Sequence, residues 1–182
     1  MKLKGKRVAV LVAPAYEDLE FWVPLMRMQE EGAEVTVVGL DAGETYVSKS
    51  GGLKATADIG AGDVSHEDFD AVLIPGGWAP DKLRRHPGVL SLVRGMYEQG
   101  KVVGSICHAG WVLASAGIVR GMRVTGSVGI RDDLVNAGAT WVDEPAFREG
   151  NVVWGRVVAD IPAYCRELVA ALSSTQHATR NT

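Results

Sequence analysis

Short apolar runs alternate along the chain with amphipathic segments, and this alternation constrains the fold more than any other feature. The apolar runs lie at 7–14, 33–40, 70–77 and 101–106. The helical patterns lie at 17–32, 80–100 with an interruption near Pro87, 108–121 and 160–174. Nearly continuous apolar runs are typical of strands that are buried on both faces of a sheet. The alternation therefore predicts an α/β protein whose mainly parallel sheet carries helices on both faces.

The chain has 182 residues and shows neither an internal repeat nor a linker that would divide it. We therefore expect a single domain over 1–182, with its core at about 6–172. The polar segment 175–182 is expected to be a frayed tail.

The composition is that of an ordinary globular protein, with 47% hydrophobic and 23% charged residues. The formal net charge of −3 provides no general field that would attract nucleic acid or an anionic membrane. The apolar runs are far shorter than the roughly 20 residues of a membrane helix. The start of the chain lacks the apolar region of a signal peptide, and its two cysteines are far apart in sequence. A reduced, cytoplasmic protein that binds neither nucleic acid nor membrane is expected.

Ligands of such sheets bind beyond the carboxyl ends of the strands, near a switch point in strand order. Three strand ends, at 14–17, 75–78 and 105–108, carry the unusual residues of this chain. The third of these ends contains adjacent cysteine and histidine residues, Cys107 and His108. We therefore expect the functional site at this edge of the sheet.

Cys107 is predicted to lie on a sharp turn from strand to helix, as in nucleophile elbows. A helix N-terminus lowers the pKa of a thiol, so a reactive thiolate is expected there. His108 would act as a nearby general base or charge partner. By contrast, Cys165 belongs to an apolar helical stripe at 161–172 and is predicted to pack in the core.

The other two strand ends provide candidate partners of the thiol. The glycine pair Gly76 and Gly77 permits close backbone approach, and backbone N–H groups there would stabilise an oxyanion together with that of His108. Glu17 and Asp81 are open to two interpretations. Each fits either a charge placed favourably in the first turn of a helix or a carboxyl that acts on the thiol or the histidine.

Four motifs in order resemble the PfpI, or intracellular protease I, family. They are "AYEDLEFWVPLMRMQEEGAEV", "FDAVLIPGGWAPDKLR", "GKVVGSICHAG" and "LVNAGATWVD", and the resemblance spans roughly 6–172. The family belongs to the superfamily of the Parkinson-disease-associated deglycase and the class I glutamine amidotransferases. The resemblance implies a flavodoxin-like three-layer sandwich.

The resemblance also implies roles for individual residues. Cys107 would be the nucleophile at the elbow and His108 its partner, while Glu17 matches an acidic residue that hydrogen-bonds the cysteine in relatives. Asp81 stands where many members carry a glutamate, a carboxylate that in the family can come from a neighbouring subunit. A homo-oligomer, dimer or hexamer, with Asp81 acting across the interface is thus expected.

The pocket implied by the resemblance includes Gly76, Gly77, Trp78, Ala109 and Trp111. The chain reads "ICHAGW" where members often read "ICHGPQ", so Trp111 places a bulky ring beside the site.

Neither a metal nor another cofactor is expected, because no His, Cys or Asp spacing matches a zinc site. The glutamine amidotransferase branch is set aside, because its histidine lies in a downstream His-x-Glu. The sole histidine after His108 is His177, in "HAT".

The resemblance implies a cysteine-dependent hydrolase or lyase of the stress response, of glyoxalase or deglycase type. Its substrates would be small reactive carbonyl compounds or their protein adducts. An intracellular cysteine peptidase that is active as an oligomer is the alternative within the enzymes. A redox sensor or chaperone that uses oxidation of Cys107 is the alternative of another class.

Overall fold

A seven-stranded sheet forms the centre of the computed structural model, which describes residues 1–174. The strands are β1 (Arg7–Leu11), β2 (Glu34–Gly39), β3 (Thr45–Val47), β4 (Lys54–Thr56), β5 (Ile59–Gly60), β6 (Ala71–Ile74), β7 (Val102–Ile106), β8 (Arg123–Val124), β9 (Thr140–Trp141), β10 (Ala146–Glu149) and β11 (Val152–Gly155). The helices are α1 (Asp18–Glu30), α2 (Ala79–Leu83), α3 (Pro87–Glu98), α4 (Gly110–Ser115), α5 (Arg131–Asn136) and α6 (Ile161–Ser174). The predicted tail at 175–182 lies outside the described residues.

The strand order of the main sheet is β10-β11-β7-β6-β1-β2-β5. Every pairing in it is parallel except that of β10 with β11. Helices α1 and α6 pack against each other and the sheet, and α2, α3 and α4 form a second packed group. This arrangement confirms the predicted flavodoxin-like sandwich.

The central strands are apolar because both of their faces are covered. Every residue of β6 and of β7 is buried, including the polar Ser105. The β-strand period of two gives no polar face in such strands, which is why they appear in the sequence as short continuous apolar runs.

One predicted helix is shorter than expected, and two elements were missed. The pattern at 108–121 is a 3₁₀ turn at Cys107–Ala109 followed by α4, which already ends at Ser115. Helix α5 and strand β10 were not predicted from the sequence. The interruption near Pro87 is confirmed, because α2 ends at Leu83 and α3 begins at Pro87.

The predicted core position of Cys165 is also confirmed, since this residue on α6 is 4% exposed. Within residues 1–174, no helix is both long and apolar enough to cross a membrane.

Strand β1 has β2 on one side and β6 on the other, so the order of the sheet reverses beside it. A crevice therefore forms at the carboxyl ends of β1 and β6. The carboxyl end of β7, which pairs with β6, lies at the same edge of the sheet.

Candidate active site

The loops after β1 and β6 are joined by backbone hydrogen bonds. The N–H of Trp78 donates to the carbonyl of Ala15 at 2.9 Å, and the N–H of Glu17 donates to the carbonyl of Gly76 at 3.2 Å. Gly77 has a φ of +71°, and a Cβ there would lie 2.5 Å from the backbone oxygen of Ala15. Glycine is therefore needed at this position for the two loops to meet.

Cys107 begins the turn that follows β7, and its backbone has a φ of +60°. A non-glycine residue in this left-handed region carries roughly 1–3 kcal/mol of strain. The N–H of Ser127 donates to the Cys107 carbonyl at 3.1 Å, which helps to hold the turn. The predicted sharp turn is thus present, and it aims the side chain at the loop after β6.

The sulfur of Cys107 contacts the imidazole of its neighbour. The Sγ atom lies 3.2 Å from Nδ1 of His108. The backbone N–H groups of Gly77 and His108 also face the sulfur and favour its anionic form. The structure therefore brings together the groups that the sequence placed at two strand ends.

Glu20, on the first turn of α1, is a buried carboxyl at the site. Its side chain is 3% exposed, and its Oε2 accepts a hydrogen bond of 2.8 Å from the N–H of Gly76. Its Oε1 is buried without a hydrogen-bond partner among the described residues. Burial and the charge of Glu17 raise the pKa of Glu20 to about 7.

Gly76 makes the contact between Glu20 and the thiol possible. A Cβ at this position would collide with the Glu20 carboxyl and lie 2.7 Å from the Cβ of Cys107. The absence of a side chain thus lets the carboxyl of α1 reach the turn after β7.

The expected lowering of the Cys107 pKa is wrong. Burial, together with the negative charge of Glu20 and its interaction with the sulfur, raises the pKa of this thiol to about 12. The two N–H groups oppose this effect without reversing it. Moreover, the helix beyond the turn has only six residues, so it offers few aligned peptide dipoles.

His108 is neutral at physiological pH and is thus ready to accept a proton. Burial and the positive charge of Lys49 lower the pKa of its imidazole. A neutral imidazole next to a protonated thiol is the arrangement that a general base requires.

Glu17 does not make the contact with the cysteine that the resemblance implied. It is the N-cap residue of α1, and its Oε2 accepts a hydrogen bond of 2.8 Å from the N–H of Glu20. The carboxyl that interacts with the thiol belongs to Glu20, one helical turn further on. Glu17 itself lines the cavity.

Asp81 lies on α2 and is engaged within its own chain. Both of its carboxylate oxygens accept hydrogen bonds from Arg85, at 2.7 and 2.9 Å, and Arg85 lowers the pKa of Asp81. Within residues 1–174, it forms no hydrogen bond with His108. Its action across a subunit interface stays a prediction.

A cavity of ≈ 310 Å³ opens above the thiol. Of the predicted site residues, Glu17, Gly77, Trp78, Cys107 and His108 line it. It is completed by Glu20, Lys49, Ser127, Val157, Val158 and Ala159. The lining thus combines charged groups with small apolar side chains.

Three predicted pocket residues do not line this cavity. Gly76 lies behind it, where its N–H holds Glu20. Ala109 is fully buried, and Trp111 packs against the His108 ring. These residues support the cavity from outside.

The sequence contains a signal, not used above, that indicates an unusual role for Glu20. Glu20, Pro24 and Met28 follow one another at a spacing of four residues, and all three are buried. A glutamate on the apolar face of an amphipathic helix is unusual, because burial of a carboxyl is costly without a partner.

No group of three or more potential metal ligands occurs within the described part of the chain.

Cys107, at the end of a parallel strand and with a φ of +60°, thus lies beside a histidine and a buried glutamate. Residues 6–171 match the model of the DJ-1/PfpI family. The chain belongs to this family, which confirms the resemblance found in its four motifs.

Similar proteins agree with this assignment. A protein named deglycase PH1704 from Pyrococcus horikoshii is 41% identical over 166 residues, which cover 91% of this chain and 99% of that protein. A putative cysteine protease of Bacillus subtilis, YraA, is 38% identical over 163 residues and is covered to 96%, against 90% of this chain. The crystal structure of DJ-1beta from Drosophila melanogaster matches with a TM-score of 0.86 at 26% identity, covering 93% of this chain and 91% of that one.

Replacement of Glu20 by glutamine should change how stability depends on pH. Because the pKa of Glu20 is raised to about 7 in the folded state, its stabilising effect is complete below its unfolded pKa and is lost as pH rises through 7. We expect the wild type to lose roughly 3 kcal/mol of unfolding free energy from this group between pH 4 and pH 8, and Glu20→Gln to lose none of it.

Urea denaturation at the two pH values measures this difference, and Glu34→Gln, at an exposed glutamate, is the control. Parallel pH dependences for wild type and Glu20→Gln would show that Glu20 is ionised normally in the folded protein.

Proposed function

We propose that this protein is a cysteine-dependent enzyme of the stress response that acts on small reactive carbonyl compounds or their early protein adducts. The observation that carries the proposal is the contact of Cys107 Sγ with His108 Nδ1 at 3.2 Å, beside the buried carboxyl of Glu20. In this proposal Cys107 is the nucleophile, His108 its base and Glu20 a second proton carrier. The relative named a deglycase supports the same class of reaction.

The first step starts from a protonated thiol, because the pKa of Cys107 is raised to about 12. The S–H proton passes to Nδ1 of His108 while the sulfur bonds to the carbonyl carbon. The carbonyl π electrons move to oxygen, which takes the proton of Glu20. A neutral hemithioacetal results, with a protonated His108 and an ionised Glu20.

A 2-oxoaldehyde such as methylglyoxal then rearranges without an external oxidant. Glu20 removes the hydrogen of the carbon bound to sulfur as a proton and returns it to the neighbouring carbon, so one carbon is oxidised and the other reduced. His108 moves the accompanying proton between the two oxygens. Water hydrolyses the thioester that forms, placing its OH on the acyl carbon and its H on sulfur, and the lactic acid leaves and ionises to lactate. The proton that His108 gained in the first step returns to Glu20, which restores the starting protonation states.

The size of the cavity favours a small substrate. Its ≈ 310 Å³ is at the lower end of the roughly 300–1,000 Å³ of ligand pockets. Val157, Val158 and Ala159 form an apolar wall that suits a methyl group, while Lys49 and Ser127 supply polar contacts for oxygen atoms.

Peptide hydrolysis is the second candidate, and the relative named a putative cysteine protease favours it. The same thiol would form an acyl intermediate with a peptide carbonyl, and the N–H groups of Gly77 and His108 would bind the oxyanion. A fluorogenic peptide tests this role on the same protein preparation.

A role of Cys107 in redox sensing has less support. Sensor cysteines react as exposed thiolates of low pKa. Cys107 is half-buried, and its pKa is raised. Mass spectrometry after mild peroxide treatment tests this role, and rapid selective gain of oxygen at Cys107 would favour it.

We further propose a homo-oligomer, dimer or hexamer, in which Asp81 acts across the interface. Asp81 is partly exposed on α2, with its side chain 32% accessible, and its ion pair with Arg85 lies at the surface. Such surface pairs are weak, so a partner subunit can displace Arg85 at little cost.

The oligomer proposal predicts that activity depends on assembly. Size-exclusion chromatography combined with a turnover assay should find activity in the oligomer and none in folded monomer obtained by dilution or mutation. Mixing the inactive variants Cys107→Ser and Asp81→Ala should restore part of the activity, because one subunit supplies the thiol and its partner the carboxylate. A fully active monomer would refute the proposal.

The proposed activity predicts turnover of methylglyoxal to lactate that requires Cys107. Cys107→Ser should reduce it to background, and His108→Ala should slow it by about 100-fold or more, because general-base catalysis of this kind contributes at least that factor. Loss of free methylglyoxal and gain of lactate are both measured. Cys165→Ser is the matched control, since this second cysteine is buried in the core.

Turnover that persists in Cys107→Ser would exclude Cys107 as the nucleophile. A folded, reduced and oligomeric wild type without turnover would favour peptide hydrolysis or redox sensing instead.

A further inference from the structure

Two indole rings flank the imidazole of His108. The ring centroid of Trp111 lies 5.2 Å from that of His108, at an interplanar angle of 70°. The Trp78 ring lies 5.7 Å away, at 49°. Ring pairs at these separations attract each other and prefer edge-to-face or tilted geometries. The imidazole is thus in contact with two indole rings while its Nδ1 lies 3.2 Å from the sulfur.

Trp111 is fixed more firmly than Trp78, which is 54% exposed. The indole N–H of Trp111 donates a hydrogen bond of 2.7 Å to Oδ2 of Asp133 on α5. The guanidinium of Arg84, at the end of α2, lies 5.6 Å from the centre of the ring. Arg84 is in turn held by Ser115, whose hydroxyl accepts a hydrogen bond of 2.9 Å from its Nε. Residues from three helices therefore set the position of one indole.

Among the described residues, no carboxylate orients the imidazole of His108. Asp81 is bonded to Arg85, and Cys107 is the one hydrogen-bond partner of the His108 ring among residues 1–174. A histidine base is usually oriented by a third group bonded to its second nitrogen. Within one subunit, packing therefore has to keep Nδ1 directed at the thiol, and in the proposed oligomer Asp81 of the neighbouring subunit would add to this support.

We propose that Trp111, anchored by Asp133 and Arg84, is a positioning residue that holds the imidazole of His108 against Cys107. The role rests on the proposed function, in which His108 takes the thiol proton.

Several charged groups surround His108 and bear on how the pKa of its imidazole would change if the indole of Trp111 were removed. Lys49 faces the imidazole from the β3–β4 side and lowers its pKa together with burial. Glu20 lies beyond the sulfur, while Arg84 and Asp133 lie behind Trp111. Loss of the indole exposes the imidazole to water, so its pKa should rise toward the ordinary value of histidine.

The test measures the rate at which iodoacetamide alkylates Cys107 as a function of pH, with mass spectrometry of the Cys107 peptide. Trp111→Ala should slow alkylation near pH 7 by about tenfold or more, because small displacements of a base cost up to about a hundredfold. NMR titration should show a raised imidazole pKa of His108 in the same variant. Trp111→Phe keeps a ring beside His108 and should stay closer to the wild type.

Asp133 provides a matched pair of variants. Asp133→Asn retains an oxygen that accepts the indole hydrogen bond, whereas Asp133→Ala removes it. Alkylation should be slowed in Asp133→Ala and restored in Asp133→Asn. Trp141→Phe, at a half-buried tryptophan on β9, controls for the loss of an indole elsewhere. Should Trp111→Ala not fold, the Asp133 pair decides the question.

An alkylation profile and a His108 pKa that are both unchanged in Trp111→Ala, or equal rates in the Asp133 pair, would overturn the proposal. The experiment needs no substrate turnover, so failure of this proposal can be distinguished from failure of the proposed function. If alkylation depends on Trp111 but the wild type leaves methylglyoxal intact, the carbonyl activity alone is refuted.

Discussion

The left-handed backbone of Cys107 is the constraint on which the site depends. Its φ of +60° turns the chain sharply after β7 and directs the thiol toward the loop after β6. Such strain persists where the surroundings determine the conformation, and here Gly76, Gly77 and Ser127 do so. Gly76 lets Glu20 and the cysteine approach, Gly77 lets the first loop approach, and Ser127 holds the carbonyl of the turn.

This proximity brings two acidic groups into one buried space. A glutamate and a thiol in contact share a single negative charge more readily than they carry two. Burial and the charge of Glu17 raise the pKa of Glu20 to about 7, and burial together with Glu20 raises the pKa of Cys107 to about 12. The resting thiol is therefore protonated and becomes a nucleophile as its proton moves to His108. Neutral His108 and a half-protonated Glu20 are matched to that task at physiological pH.

The sequence predicted the sheet well because its central strands are buried on both faces and form continuous apolar runs. It also predicted the meeting of Cys107, His108 and Gly77, because the carboxyl ends of parallel strands lie at one edge. Short elements with little burial were not predicted. Helix α5 buries Leu134 alone, and such a segment has no helical periodicity.

The sequence analysis named Glu17 and not Glu20, because the glutamate that faces the thiol depends on where α1 begins, which sequence patterns locate poorly. Glu17 is the cap, so the next turn supplies the carboxyl that faces the thiol. The pKa of Cys107 was also beyond sequence reasoning. It depends on burial and on Glu20, a residue 87 positions away in the sequence and brought close by the fold.

Infrared spectroscopy of the Cys165→Ser variant tests the protonation of Cys107 and Glu20 most directly, because Cys107 is then the remaining thiol. The account predicts an S–H stretching band at pH 7 that disappears in the additional variant Cys107→Ser. It also predicts a protonated-carboxyl band that titrates near pH 7 and is missing in Glu20→Gln. A folded protein without an S–H band at pH 7 would contain a resting thiolate and contradict the account.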